Sequence, residues 1–101
     1  MNKQDLLSSV SKFNQLKILV IGDVILDAYY KGEVSRISPE APVPVLDIHT
    51  KDYRLGGAAN VALNVKNLGA SCILCSVIGD DDAGKSVSGL MQDEGLDTSG
   101  I

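Results

Sequence analysis

An α/β fold follows from three observations in this 101-residue chain. Lys17-Ile18-Leu19-Val20-Ile21-Gly22 and Cys72 to Gly79 are apolar runs that stop at glycine, the pattern of strands covered on both faces in a parallel sheet. Two later stretches repeat apolar residues at helical spacing, and strand and helix patterns alternate along the chain. That alternation predicts an α/β sheet joined by right-handed crossovers.

Each element has its own signal. From Asp5 to Asn14, apolar residues at Leu6, Leu7, Val10 and Phe13 predict a short amphipathic helix. The first strand, Lys17 to Gly22, follows. Val61, Leu63, Val65 and Leu68 fill a second helix, closed by Gly69 as its C-terminal cap. Cys72 to Gly79 is the next buried strand. Asp80, Asp81 or Asp82 caps a third helix whose Ala83, Val87, Leu90, Met91 and closing Gly95 repeat the pattern. Leu96-Asp97-Thr98-Ser99-Gly100-Ile101 reads as the approach to another strand.

The segment from Tyr29 to Leu55 is too long for a usual βα loop and needs structure of its own. Val43 and Val45 alternate with Pro42 and Pro44, so both missing N–H groups fall on one side of a strand. The segment, about residues 29–55, is therefore expected to form an antiparallel β flap. It is expected to serve as a lid over a ligand, as a surface for a partner subunit, or as an ordinary surface hairpin.

Composition bounds the function. Hydrophobic residues at 45%, charged residues at 22% and 10 Gly describe an ordinary globular chain. One small domain of this length buries roughly two-thirds of its unfolded surface. A net charge of −4 with a pI near 4.7 excludes a general nucleic-acid or anionic-membrane surface, so any anion site is local. The N-terminus has no signal-peptide core and no apolar run reaches membrane-span length, which places the expected location in the cytoplasm. Cys72 and Cys75 supply two metal ligands at most with no His nearby, and on a strand they face opposite sides. They are read as plain buried or half-buried thiols, and no metal site is expected.

The chemistry-bearing residues lie around the flap. Asp27 follows the first strand at its carboxyl end, where open α/β sheets place ligands, and its carboxylate can accept hydrogen bonds from sugar hydroxyls. In Asp52-Tyr53-Arg54-Leu55-Gly56-Gly57-Ala58-Ala59-Asn60, a Gly pair runs into a helix start, letting backbone approach an oxygen-rich ligand. Asn60 offers both a donor and an acceptor. Asp23 has the simpler alternative of tying down its own loop. Arg36 on the flap has the planar fork for a phosphate, with Ser35 and Ser38 as added hydroxyls and Lys31, Lys51 and Arg54 as competing cations. Asp80, Asp81 and Asp82 suit a helix start better than a metal.

Gly22-Asp23 with Asp27, then a β flap, then Gly56-Gly57 and Asn60 opening a helix, resembles the N-terminal part of the ribokinase or PfkB family of sugar kinases. Ser35-Arg36-Ile37-Ser38-Pro39-Glu40-Ala41-Pro42-Val43-Pro44-Val45 resembles its heptose 7-phosphate kinase branch, which serves lipopolysaccharide core synthesis. The likeness runs from Lys17 to Ile101. It implies a ribokinase-like fold, with Asp27, Gly56, Gly57 and Asn60 on the sugar, and ATP with Mg²⁺ as cofactors of the complete enzyme. The family's catalytic base and anion hole lie in a glycine- and Asp-containing motif near the end of the kinase domain. No such motif, and no P-loop, occurs in these residues. Residues 1–101 are thus expected to be an incomplete domain that positions a sugar phosphate, binds no cofactor alone, carries no catalytic residue and is inactive alone. A homodimer through the flap is expected. Alternatives are a PfkB kinase for ribose, fructose or a nucleoside, and a non-catalytic binding or dimerisation fragment. The glycines do not form a three-glycine dinucleotide fingerprint.

Overall fold

The first helix begins earlier than its apolar spacing implies, because its cap precedes that spacing. In the computed structural model, which describes residues 1–101 except the side chain of residue 35, α1 spans Lys3–Ser11. The Asn2 side chain accepts from the Asp5 N–H at 2.8 Å, and the Asn2 N–H donates back to Asp5 at 3.2 Å, a reciprocal capping box. A 3-10 turn, Phe13–Gln15, replaces the helix's expected last turn and leads into β1, Lys17–Ile21.

β1 pairs in parallel with β4, Ser71–Cys75, with Lys17 opposite Ser71 and Ile21 opposite Cys75. Between them in sequence come β2 (Val24–Ile37), β3 (Pro44–Gly57) and α2 (Ala58–Asn67). After β4 comes α3, Asp82–Asp93. A parallel sheet and a separate antiparallel β2–β3 ribbon, with helices, make the mixed α/β architecture.

The core lies where α2 and α3 meet one face of β1–β4 and the base of the ribbon. Ala59, Ala62, Leu74, Val87, Met91 and Leu96 are buried there, with Val20, Val24, Leu26 and Leu55 packed against them. Small residues line α2's inner face because the helix comes close to the sheet. Val61 and Leu68, expected inside, are exposed instead. Side chains alternate along a strand, so Leu19 and Ile21 point away from α2 and stay 59% and 74% accessible. The expectation of β1 covered on both faces is corrected accordingly. Cys72 is half-buried but Cys75, on the open face, is exposed.

Helix ends follow local chemistry. Asp81 is the residue that caps α3, its carboxylate accepting from the Gly84 N–H at 2.8 Å. Gly69 and Gly95, both at positive φ, end α2 and α3. β4 stops at Cys75 rather than Gly79, and the chain's last segment forms a single parallel bridge, Asp97 with Ile73.

The flap is longer than residues 29–55. It runs from Val24 to Gly57 as two 14-residue strands around a loop in which the Ser38 N–H donates to the Val43 carbonyl at 2.8 Å. Pro42 lies in that loop and Pro44 opens β3, where a missing N–H costs no internal ladder bond. The register shifts between Lys31 and Gly32 and again between Val34 and Arg36. The first shift takes an extra residue in β3 and the second an extra one in β2, so they cancel. The projecting ribbon gives extents of 61 × 38 × 20 Å and a radius of gyration of 19.2 Å, against about 13 Å for a compact chain of this length.

Candidate functional site

Only Gly22 and Asp23 separate β1 from β2, so the chain turns sharply out of the parallel sheet and into the ribbon. Three bonds hold this corner: the Gly22 N–H donates to the Cys75 carbonyl at 3.3 Å, the Ala58 N–H at the start of α2 donates to the Asp23 carbonyl at 2.8 Å, and the Val24 N–H donates to Ser76 Oγ at 3.3 Å. Asp23 takes part in this corner through its backbone carbonyl.

This corner moves Asp27 from a loop into a strand. Asp27 is the fourth residue of β2, half-buried, and pairs with Arg54; Ile25 pairs with Gly56 and Val24 with Gly57. An ideal Cβ on the buried Gly56 would meet the Asp27 side chain, with the carboxyl carbon at 2.9 Å. The missing side chain is what lets the carboxylate lie across the backbone here. Gly57 adopts φ 57° and ψ −133° as the residue before α2, a conformation essentially reserved for glycine. No side chain caps α2. Asn60 stands exposed in its first turn, three residues beyond Gly57. The structure thus joins a carboxylate, a glycine corner and a helix start, with Asn60 in the first turn of that helix.

It does not bring Arg36 to them. Arg36 is exposed and pairs with Val45 near the flap tip, nine residues along β2 from Asp27, or roughly 30 Å at strand spacing. Ser35 is beside it, but its side chain lies outside the described residues. The residue opposite Asp27 is Arg54. Its Nε donates to Asp52 Oδ2 at 3.1 Å, and its guanidinium lies 4.8 Å from the Tyr29 ring centre. Exposed contacts of this kind are each worth about 0.5–1 kcal/mol. On the other face, Lys51 lies 5.7 Å from the Tyr30 ring centre. The Tyr53 phenol is pushed above its ordinary value by charge repulsion from Tyr30, then by a hydrogen bond with it and slight desolvation. Arg54 counted only as one cation among several in the sequence, because hairpin register is settled by cross-strand pairing that spacing along one strand does not display.

Among the described residues, no group of three or more His, Cys, Asp and Glu side chains converges as for a metal ion. Among them also, no helix is long and apolar enough to cross a membrane.

The sequence is similar to those of known proteins. The pfkB family carbohydrate kinase profile matches residues 15–101. The "Bifunctional protein HldE" of Helicobacter pylori is 53% identical over 85 residues, covering 84% of this chain and 18% of that protein. Proteins of the same name from Pseudomonas fluorescens (51% over 88 residues, 87% of this chain and 18% of that protein) and Pseudomonas aeruginosa (49% over 89 residues, 88% and 19%) are also similar. The chain spans about a fifth of the length of these relatives.

Proposed function

Because the chain belongs to the pfkB family of carbohydrate kinases, we propose that it forms the sugar-recognising part of a kinase acting on O1 of D-glycero-β-D-manno-heptose 7-phosphate. The reaction would serve cytoplasmic ADP-heptose and lipopolysaccharide core synthesis. One observation carries the reading: the Asp27 carboxylate lies across Gly56 at the start of α2. The similarity to proteins named HldE supports the heptose substrate over other sugars.

In this reading Asp27 accepts hydrogen bonds from sugar hydroxyls, the Gly56–Gly57 backbone lets the ring approach, and Asn60 supplies a donor and an acceptor. These groups orient the sugar so that one hydroxyl points at the donor phosphate, and positioning is a large part of the work in phosphoryl transfer. The donor, ATP with Mg²⁺, belongs to the proposal for the whole protein. Among the described residues no group of three or more His, Cys, Asp and Glu side chains converges to hold the metal.

The flap has one apolar face. Register and alternation put Tyr30, Val34, Ile37, Leu46, Ile48 and Tyr53 on the side continuous with the half-buried Leu26–Leu55 pair, while Asp27 and Arg36 share the other side. A second copy laid on the apolar face makes a two-fold homodimer. Light scattering of Leu46→Lys/Ile48→Lys is expected to read the monomer mass where the unaltered chain reads a dimer. An unchanged mass counts against the flap interface.

The substrate reading is tested by titrating the ¹⁵N-labelled chain with heptose 7-phosphate, ribose, fructose and adenosine. Heptose 7-phosphate is expected to shift the Gly56, Gly57 and Asn60 amides at the lowest concentration. A lower concentration for one of the others replaces the assigned substrate. No shift with any of them removes the carbohydrate-binding reading.

A further inference from the structure

We propose that Arg54 is the specificity-determining residue that selects a phosphorylated sugar in this site, acting from the same chain as Asp27; this rests on the carbohydrate-binding reading above. Arg54 stands directly opposite Asp27. Paired residues share a face of the ribbon, and residues two apart on a strand do too, so Asp27, Arg54, Asp52, Tyr29 and the open position at Gly56 all belong to one surface. Directly opposed residues lie about 4.5–5.5 Å apart at Cα, so a hydroxyl-accepting carboxylate and an anion-binding guanidinium are immediate neighbours.

The two do not neutralise each other. Among the described residues the ion pair that Arg54 makes is with Asp52, through Nε, and its plane is held against the Tyr29 ring. The guanidinium is therefore pre-set while its terminal nitrogens keep their hydrogen-bonding capacity, on a side chain that is 60% accessible. An outward-facing guanidinium edge matches two phosphate oxygens, and less side-chain freedom is lost on binding because the plane is already held. Asp27 stays available for hydroxyls. A sugar monophosphate carries both partners in one molecule: hydroxyls for Asp27 and a dianion for Arg54.

The other flap cations fit less well. Lys51 is on the opposite face over Tyr30, Lys31 is four residues further along β2 from Asp27, and Arg36 is near the tip.

The test measures dissociation constants by titration calorimetry for heptose 7-phosphate and unphosphorylated heptose, using the full chain and its Arg54→Gln, Arg54→Lys and Arg36→Ala variants. Arg54→Gln is expected to weaken heptose 7-phosphate about tenfold or more and heptose less than about twofold, with partial recovery in Arg54→Lys, the size expected for a charge-assisted hydrogen bond. Inorganic phosphate is expected to compete with the sugar phosphate in the unaltered chain and to lose that effect in Arg54→Gln. The proposal is overturned if Arg54→Gln leaves the preference for the phosphorylated sugar intact, if it weakens both ligands equally, or if Arg36→Ala alone removes the preference. If the folded, unaltered chain binds neither ligand, the carbohydrate-binding reading fails and this inference falls with it. Intact binding with an Arg54-independent preference fails the inference alone. Arg54→Lys keeps the charge and the exposed position, so it checks the assignment should Arg54→Gln disturb the ribbon.

Discussion

Asp27 and Gly56 share one space: the carboxylate of the first lies where any side chain on the second would have to go. The obstruction is the far end of a side chain and not backbone, so a methyl group at Gly56 displaces the carboxylate before it strains the fold. Gly56→Ala is therefore expected to weaken sugar binding nearly as much as Asp27→Ala while costing about 1 kcal/mol of stability, the low end for an inserted methyl group. The double variant is expected to be little worse than either alone, since both changes remove one coupled arrangement. Calorimetric titration of the three variants checks this, and additive losses would separate the two residues.

Gly57 is expected to behave differently. Its φ of 57° with ψ −133° suits glycine, and a Cβ there would lie 2.5 Å from the Asp23 carbonyl, a backbone atom. Gly57→Ala should cost about 1–3 kcal/mol through backbone strain and should loosen the Ala58–Asp23 bond that holds the corner. Denaturant unfolding measures the loss. A change below about 0.5 kcal/mol would mean that the corner tolerates an L residue.

The two cysteines are expected to separate by reactivity. Burial pushes the Cys72 thiol above its ordinary value, which leaves less reactive thiolate at any given pH, whereas Cys75 is exposed on the open face of the sheet. A thiol-alkylating reagent near pH 7.5 should therefore modify Cys75 first, with Cys72 gaining rate only as the pH rises toward and above its raised value. Peptide mass spectrometry over a pH series follows both sites. Equal rates throughout would show that Cys72 is not shielded.

Several features were legible in the sequence. The glycine stops after α2 and α3 fall where periodic apolar residues end, the three consecutive carboxylates mark the start of α3, and the over-long segment after β1 announces a separate ribbon. These are local signals, because caps, turns and periodicity act over a few residues. The capping box at Asn2 was equally local and readable from its spacing to Asp5.

Tertiary structure decided the rest. Periodicity says which residues share a face but not what covers that face, so Ala59 and Ala62 rather than Val61 and Leu68 fill the α2 interface, and Leu19 and Ile21 point away from the core. Pairing between strands separated by a long loop decided which side chains meet: it set Arg54 opposite Asp27 and left Arg36 near the tip of the ribbon. The sequence by itself determined the α/β element types, the glycine corner and the kinase family it resembles, all carried by short-range spacing and motif. The fold alone decided that Asp27, Gly56 and Arg54 form one surface, because register and burial are relations between residues far apart in the chain.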